Sequence, residues 1–470
     1  MRSNPWRRAA LSLVCSCTVL FALPRPASAD TDREVAKLRA ELEQANAVRE
    51  QDRKTMEEQG KRLEQALDRI ESLEDARAPE AASARTPGVS AAALEGPRPR
   101  LDIYGFIQTD GIYDVNQMDP SWAATLRPSK IPVNCPGDAG CGKNGETILS
   151  ARQSRLGFRG FMPTAWGEVK TIFEFDLFAV GGNAGEHNFR LRQAWGELGQ
   201  VGAGQTWSVF MDPDVFPNTI DYWGPAGMVF IRNPQFRWTP ISTDDGFSVA
   251  LALESPSSAL DRGKIDEVAP NLDVDARSQY PDGTFHLRYG GDWGHVQAAA
   301  VLRGIGYDTP SEPGNDPSGT VLGWGLNLSS VIQTIGRDQL LLQVVYGNGI
   351  AAYMNDGGID LAPSSGFNAR AVPLLGWLAY YNRWWDERWS SSIGYSETRQ
   401  FTTGGQTGDS FETGQYGSVN LLFHPVPGVM MGGEYLWGKR VNEDGSNHDD
   451  NRLQFSIKYD FGATLVSTGE

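Results

Sequence analysis

Hydrophobic and polar positions alternate with a period of two through most of the chain after residue 100. Leu453, Phe455, Ile457, Tyr459 and Phe461 alternate with Arg452, Gln454, Ser456, Lys458 and Asp460. Leu322, Trp324, Leu326 and Leu328 alternate with Gly323, Gly325, Asn327 and Ser329, and Leu340, Leu342, Val344 and Tyr346 with Gln339, Gln343 and Gly347. This period sends successive side chains to opposite faces of a strand. The pattern predicts about sixteen strands. They start near residues 101, 150, 165, 188, 201, 227, 246, 283, 294, 319, 338, 372, 388, 413, 428 and 451. The connections alternate in length. Short ones lie at 163–165, 199–202, 239–246, 292–294, 333–338, 386–388 and 424–428. Long ones lie near 115–149, 178–187, 209–226, 255–282, 307–318, 350–371, 401–412 and 440–450. Alternating short turns and long loops, with both termini on the short-turn side, are what an even-stranded antiparallel barrel in a membrane requires. The reading is therefore an all-β transmembrane barrel spanning residues 100–462, with a short tail at 463–470.

A different period governs the segment before it. With Val35 at heptad position a, that position recurs as Leu42, Arg49, Met56, Leu63 and Ile70. Position d is Leu38, Ala45, Asp52, Gln59, Ala66 and Leu73. A sustained heptad predicts an α-helical coiled coil over residues 30–76, hence self-association. Its polar seam positions Arg49, Asp52 and Gln59 weaken the coil while fixing register. Residues 77–99, with Pro79, Pro87, Pro97 and Pro99 among Ala, Ser and Gly, read as a linker. Residues 1–29 read as a signal peptide: Arg2, Arg7 and Arg8, then an apolar stretch Ala9 to Leu23, then the small-residue cleavage site Ala27-Ser28-Ala29. Export puts the remaining cysteines in an oxidising compartment. Cys135 and Cys141, in a Gly/Pro/Asp-rich stretch, read as a local disulfide.

Composition narrows the function classes. Net charge is -16, which argues against a nucleic-acid partner, and 14 Trp, 14 Tyr and 20 Phe exclude a disordered chain. Aromatic residues cluster at strand ends. Trp377, Tyr380, Tyr381, Trp384, Trp385 and Trp389 surround the turn at 386–388, and Tyr435 and Trp437 lie toward a long loop. These are read as girdles at the two membrane interfaces. The expected surroundings are outer-membrane lipid and lipopolysaccharide.

Three motifs carry a resemblance. Leu101-Asp102-Ile103-Tyr104-Gly105-Phe106 opens the first strand, and Ser154-Arg155-Leu156-Gly157-Phe158-Arg159-Gly160 lies in the second. Gly204-Gln205-Thr206-Trp207-Ser208, followed by Met211-Asp212, leads into the third long loop. In this order, after a signal peptide and a coiled coil, the chain resembles the DcaP-type trimeric porins of Gram-negative outer membranes. The resemblance implies a homotrimer with a periplasmic coil and a passive diffusion channel for small anions, dicarboxylates especially. One departure is that Phe461 is followed by nine residues rather than ending the chain.

Parity supplies a physical reason for anion preference. Arg155 and Arg159 share a face opposite Leu156 and Phe158, and Arg190 and Arg192 a face opposite Phe189 and Leu191. Arg288, with His286, lies opposite Phe285, Leu287 and Tyr289, and Lys458 opposite Ile457 and Tyr459. A cation on the lipid face near midplane costs about 2–4 kcal/mol, so these are expected to line the lumen. Arg232 and Arg237 are five apart and both face inward only if a bulge intervenes. A guanidinium binds carboxylate through a planar fork, and a ring of them attracts anions. The opposing reading pairs them structurally with Glu168, Glu174 and Asp176. The third long loop, Val209 to Met228, is expected to fold inward as the constriction, carrying Asp212, Asp221, Tyr222 and Trp223. Asp212 and Asp221 are alternatively braces within it.

Enzymatic readings find little support. Gly408-Asp409-Ser410-Phe411 resembles the start of a GDS-type esterase motif, but lacks the strand-to-helix setting and a matching Asp-x-x-His. The five histidines are scattered, which argues against a metal site. No catalytic residue, cofactor or metal is expected. Two rival functions stand beside the channel: a structural tether whose coil contacts peptidoglycan or a periplasmic partner, and a sugar-type porin with an aromatic track.

The mixed seam of the coil yields a test. Deleting residues 31–76 is expected to leave a heat-resistant oligomer on unheated gels, held by the barrel surfaces. A truncated chain running only as monomer would make the coil the main oligomerising element.

Overall fold

The computed structural model describes residue 61 and residues 98–466 apart from 138–139 and 180–187. The expected signal peptide, coiled coil and linker lie outside the described residues, save helical Lys61 and the linker's last two positions. β1 (Arg100–Asp114) is followed by β2 (Glu146–Ser150) and β3 (Arg155–Thr164), which both pair with β1 and make one wall strand broken at 151–154. β4 (Gly167–Ala179), β5 (Asn188–Leu198), β6 (Val201–Trp207), β7 (Arg232–Ser242) and β8 (Phe247–Glu254) come next. β9 (Asp275–Ser278) and β10 (Asp282–Gly291) form a second interrupted strand, both pairing with β11 (Gly294–Asp308). β12 (Gly319–Gln333) and β13 (Gln339–Asn348) continue the wall, while β14 (Leu361–Pro363) and β15 (Ala369–Ala371) form a separate hairpin in the sixth loop. β16 (Pro373–Trp384), β17 (Trp389–Gln400), β18 (Phe411–Phe423), β19 (Val429–Asn442) and β20 (Asn447–Val466) complete it. β20 returns antiparallel to β1, with Val466 opposite Arg100 and Arg452 opposite Asp114. The result is a closed antiparallel barrel of sixteen wall strands. Closure leaves no edge, the condition for a sheet surrounded by lipid.

Most strands start within a few residues of their expected positions, and three boundaries move for physical reasons. β7 begins at Arg232 rather than near 227, because Val229 bridges to Met354 and holds the preceding residues in the third loop. The eighth long loop contracts to residues 443–446, a turn closed by Asn442 N–H donating to Ser446 O at 2.8 Å. β20 runs on to Val466 because β1 offers it partners that far, so the barrel does not stop at 462. Short turns rely on glycine where the backbone demands it. Gly294 has φ 115°, and a Cβ there would lie 1.9 Å from Val331 O.

Leu302, Leu322, Leu326, Leu453 and Phe455 are exposed on the outer face, as their parity requires. The inner face holds a second apolar surface that alternation did not announce. Val301, Val331, Leu341, Val345, Leu374, Leu378, Tyr380, Tyr416 and Leu436 point inward from β11–β13, β16, β18 and β19, and all are buried. They pack against Phe210, Met211, Val215, Met228 and Val229 of the third loop, Leu126 and Ile131 of the first, and Tyr353 and Met354 of the sixth. Tyr380 thus belongs to this core, its hydroxyl 3.1 Å from Ser418 Oγ, and not to an aromatic girdle. Trp384 shares its inward parity and stacks on His424 at 5.3 Å.

The third loop therefore folds into the barrel, and its path is fixed by polar contacts around that core. Asn327 Nδ2 donates to Phe210 O (2.9 Å), and Thr398 Oγ1 to Ala226 O (2.7 Å). Ile220 and Asp221 N–H donate to the Glu434 carboxylate at 2.8 and 3.0 Å. Burying each large apolar side chain contributes about 1.5–3 kcal/mol, so the loop is held as firmly as a core element. Phe210 is fully buried, edge-on to Tyr353 with centroids 5.6 Å apart. Phe210→Ala is expected to cost about 3–5 kcal/mol, drawn from the packing of this loop rather than from the wall. Chymotrypsin should then cut near Tyr222 and Trp223 in an otherwise intact, heat-resistant barrel. Wild-type resistance in the variant would mean the polar contacts suffice to hold the loop.

Candidate functional site

The intraluminal core fills the side of the lumen under β11–β19. The remaining inner wall, from β1 and β3 to β10, carries the basic residues singled out by parity. Arg155 and Arg159 on β3 face inward, since Leu156 between them is exposed on the outside. Arg190 and Arg192 both reach the lumen, as their shared parity opposite exposed Phe189 and Leu191 requires, and the register shifts at Arg192. Glu174 pairs with Gln193 while Phe175 pairs with Leu191, leaving Arg192 in the bulge. Arg237 and Arg288 face inward from β7 and β10, flanked by outward Phe236, Trp238, Leu287 and Tyr289, and Lys458 does so from β20.

These cations divide by what they touch. Arg192 is a buried brace, its side chain only 4% exposed: Nε donates to Glu174 Oε1 at 2.7 Å and Nη1 to Asp176 Oδ2 at 2.9 Å. Arg155 and Arg190 keep 26% and 27% of their side-chain surface open, whereas Arg288, 26% open, is bonded to Asp212 and Asp214 of the third loop. Arg190 meets Asp176 at 2.8 Å, whereas Arg155 is only loosely paired, 3.8 Å from Glu174. Arg159 lies over the Tyr104 ring at 4.3 Å, Arg237 over Trp195 at 5.1 Å, and Lys458 3.5 Å from Asp460. Pairing with Glu174 and Asp176, the opposing sequence reading, thus coexists with an excess of positive charge. Arg152, Arg155, Arg190, Arg192 and Arg232 gather around these two carboxylates. Arg152, which donates to Ala179 O at 2.6 Å, was not singled out from sequence because it sits in the break between β2 and β3, where parity fails.

Arg232 departs from the bulge expectation. The pairing of β6 and β7 is unbroken from Trp207↔Arg232 to Val201↔Trp238, and the shift in β7 comes later, between Trp238 and Ile241. Arg232 therefore sits on the face opposite Arg237. As the first residue of its strand it turns its guanidinium over the Trp207 ring at 4.5 Å, and its Nη1 has no hydrogen-bond partner among the described residues. Arg155 Nε is likewise without a partner. A cavity of about 420 Å³ joins Arg232 and Arg190 to Tyr222, Trp223, Asn355 and Arg127.

The third loop meets this wall at its tip. Tyr222 stacks on Phe178 with centroids 3.8 Å apart, donates its hydroxyl proton to Asp176 Oδ2 (2.5 Å) and accepts from Arg192 Nη1 (2.9 Å). Trp223 Nε1 donates to Asn355 O at 2.7 Å, and its ring meets Trp122 edge to face, centroids 4.9 Å apart, with the Arg127 guanidinium against both rings at 4.2 and 4.1 Å. Arg127, from the first loop, also donates Nε to Asp356 at 2.9 Å. Sequence reasoning missed it because no strand periodicity reaches that loop. In the same loop the sulfur atoms of Cys135 and Cys141 are bonded, with Cα atoms 5.6 Å apart.

Asp212 and Asp221 do not line a passage. Both are buried acceptors that pin the third loop. Asp221 accepts from Thr125 Oγ1 (2.7 Å), Leu126 N–H (3.1 Å), Gly224 N–H (3.2 Å) and Tyr416 hydroxyl (3.1 Å). Burial pushes its carboxyl above the usual range, against the pull of these donors. Asp212 takes His295 Nε2 and Ser329 Oγ at 2.7 Å each and Arg288 Nη1 at 3.1 Å. Burial would raise its carboxyl, but the bond from His295, with Ser329 and Arg288, holds it below the usual range. Asp212, Asp214 and His295 stand close enough to share a metal ion, but the Arg288 guanidinium already bonds both carboxylates, and the trio reads as an ion-pair brace.

The family model described as DcaP outer membrane protein matches residues 35–461. Among solved structures, the outer membrane channel DcaP of Acinetobacter baumannii superposes with a TM-score of 0.67 at 19% identity, covering 80% of this chain and 100% of that one. An anion-selective porin from Comamonas acidovorans gives a TM-score of 0.48 at 12% identity over 77% of this chain and 100% of that one. OmpF of Salmonella typhi gives 0.49 at 13% over 77% and 97%. No curated protein matches the sequence. Likeness at these identities speaks to the fold alone. The family match extends over nearly the whole chain, and with the closed sixteen-stranded barrel it establishes that this protein belongs to the DcaP outer membrane protein family.

Proposed function

We propose that the protein is a passive outer-membrane channel for small hydrophilic solutes that favours anions, dicarboxylates among them. One observation carries this reading. Around the two carboxylates Glu174 and Asp176 the wall gathers five guanidiniums, those of Arg152, Arg155, Arg190, Arg192 and Arg232. Arg155 and Arg190 each keep about a quarter of their side-chain surface open, 26% and 27%, where a passing carboxylate can reach them. Arg155 and Arg190 stand near each other on one wall; Arg190 clasps Asp176 through Nε and Nη2, so Arg155 offers its guanidinium and Arg190 its remaining edge to a solute with two acid groups. The reading includes assembly as a homotrimer, contact with lipid and lipopolysaccharide, and a periplasmic coil formed by residues 30–76 behind a cleaved signal peptide.

The acids beside these arginines are held by Arg192, which makes a clean test possible. Neutralising Arg155 or Arg190 leaves Glu174 and Asp176 still bonded to Arg192. At an effective dielectric near 20, one charge about 6 Å from an anion contributes roughly 3 kcal/mol before screening by lumen water and salt. Even about 1 kcal/mol changes a permeability ratio several-fold. Reversal potentials in asymmetric KCl across planar bilayers are expected to show anion preference in the wild type. Arg155→Gln and Arg190→Gln should each reduce it, and the double variant most. Arg155→Lys should retain the preference yet weaken block of chloride current by succinate, because a point charge lacks the planar fork. Unchanged selectivity in a normally assembled double variant would leave these arginines structural and remove the basis of the anion reading.

A further inference from the structure

The long loops enclose a second cavity, apart from the arginine wall. It measures about 430 Å³ and is walled chiefly by apolar side chains from three loops. Ile265, Leu272 and Val274 come from the fourth loop, Tyr307 from the end of β11, and Leu361 and Phe367 from the hairpin of β14 and β15. These walls are braced. Arg303, 1% exposed, donates to Asp282 (2.9 Å), Asp360 (2.7 Å) and Gly349 O (2.6 Å), which ties the foot of the hairpin to the barrel. Leu260 bridges Leu361 directly. At the rim, Phe367 is 48% exposed at the hairpin tip with φ 59°, a backbone conformation that bulky residues rarely adopt. A large aromatic ring is therefore held open to solvent over an apolar cavity.

One cation lines this cavity. Arg262 donates through Nη2 to Asp266 (2.9 Å) and Ala269 O (3.4 Å), while its Nε has no partner among the described residues. Asp261 also borders the cavity, but its carboxylate is engaged by Gly263 N–H (2.8 Å), Gln406 Nε2 (3.0 Å) and Ser410 Oγ (3.3 Å). With 28% of its side-chain surface open, Arg262 favours a negative head at the cavity, and the walls favour an apolar body. A cavity of this volume lies within the ordinary range for small-ligand sites.

We propose that this loop cavity binds an amphipathic monocarboxylate, with its apolar body between Leu272, Val274, Tyr307 and Phe367 and its acid on the Arg262 guanidinium. The site is independent of the arginine passage and does not rest on its selectivity.

Isothermal titration of the full-length protein in detergent, with octanoate and octanol as probes against matched micelles, tests this. Octanoate is expected to bind at one site per chain and octanol more weakly. Arg262→Gln should weaken octanoate by roughly tenfold, the loss of a charge-assisted hydrogen bond, with octanol unchanged. Val274→Trp, which fills the cavity, should abolish both heats, and Leu272→Trp serves the same purpose if the first variant does not assemble. Octanoate heat surviving in an assembled filling variant would assign it to the micelle and overturn the proposal. Equal octanoate affinity in Arg262→Gln would overturn the acid recognition.

Discussion

The lumen of this barrel depends on an apolar core that sits inside it. A barrel wall in lipid is apolar outside and wet inside, and nothing in that rule places Val301, Leu341, Val345 or Leu378 on the inner face. They are there because Phe210, Met211, Val215, Met228 and Val229 come down from the third loop to meet them. Excluding water from both partners holds a long irregular segment across the barrel without regular secondary structure. It also makes the lumen asymmetric. Space taken on the side of β11–β19, and by Val209 against Ala250 and Ala252 of β8, leaves the arginine-bearing wall from β3 to β7, so the position of apolar clusters decides which polar residues keep open surface.

The same packing sets the electrostatics. Where loop meets wall, Glu174 and Asp176 are buried, and a buried carboxylate needs countercharge and donors. Arg192 supplies the charge, Tyr222 and Tyr104 supply hydroxyl donors, and the arginines left over retain open surface. The tip of the third loop is therefore tied to the wall by the acids that orient the lining. Breaking the buried Arg192 pairs would take a countercharge from both carboxylates and leave them to Arg190 and Arg155, a larger loss than neutralising the partly open, loosely paired Arg155.

Much of the barrel was legible in the sequence because a period of two is a geometric fact about strands. Strand number, most boundaries and the inward orientation of Arg155, Arg159, Arg190, Arg192, Arg288 and Lys458 follow from it. What parity could not supply is what happens where it breaks. Arg152 lies in an interruption, Arg232 at a strand's first residue without the bulge that would bring it inward beside Arg237, and Arg127 in a loop with no period at all. The intraluminal core did leave a trace, in segments apolar on both faces such as Leu340-Leu341-Leu342 and Leu374-Leu375. Such runs mark a wall strand with protein on its inner side. Tyr380 belongs to the same lesson: its place near a turn suggested a membrane interface, but its even position on β16 sends it inward.

Orientation and role are separate questions for a lumen arginine. Arg303 and Arg452 point inward as Arg155 does, yet each is buried between two aspartates: Asp282 and Asp360 for Arg303, Asp114 and Asp450 for Arg452. Both also donate to loop carbonyls, Gly349 O and Ala123 O, so their charge is spent on fastening the sixth and first loops to the wall. Arg155 has one distant carboxylate, which it shares with Arg192, and an aromatic ring beneath it, Phe106 at 5.1 Å. A guanidinium surrounded by acids is a fastener. One that shares an acid and lies over a ring keeps its charge exposed to a solute, because the ring offers contact without neutralising it. The ratio of carboxylates to guanidiniums around each arginine, more than its inward direction, separates the scaffold of this lumen from its lining.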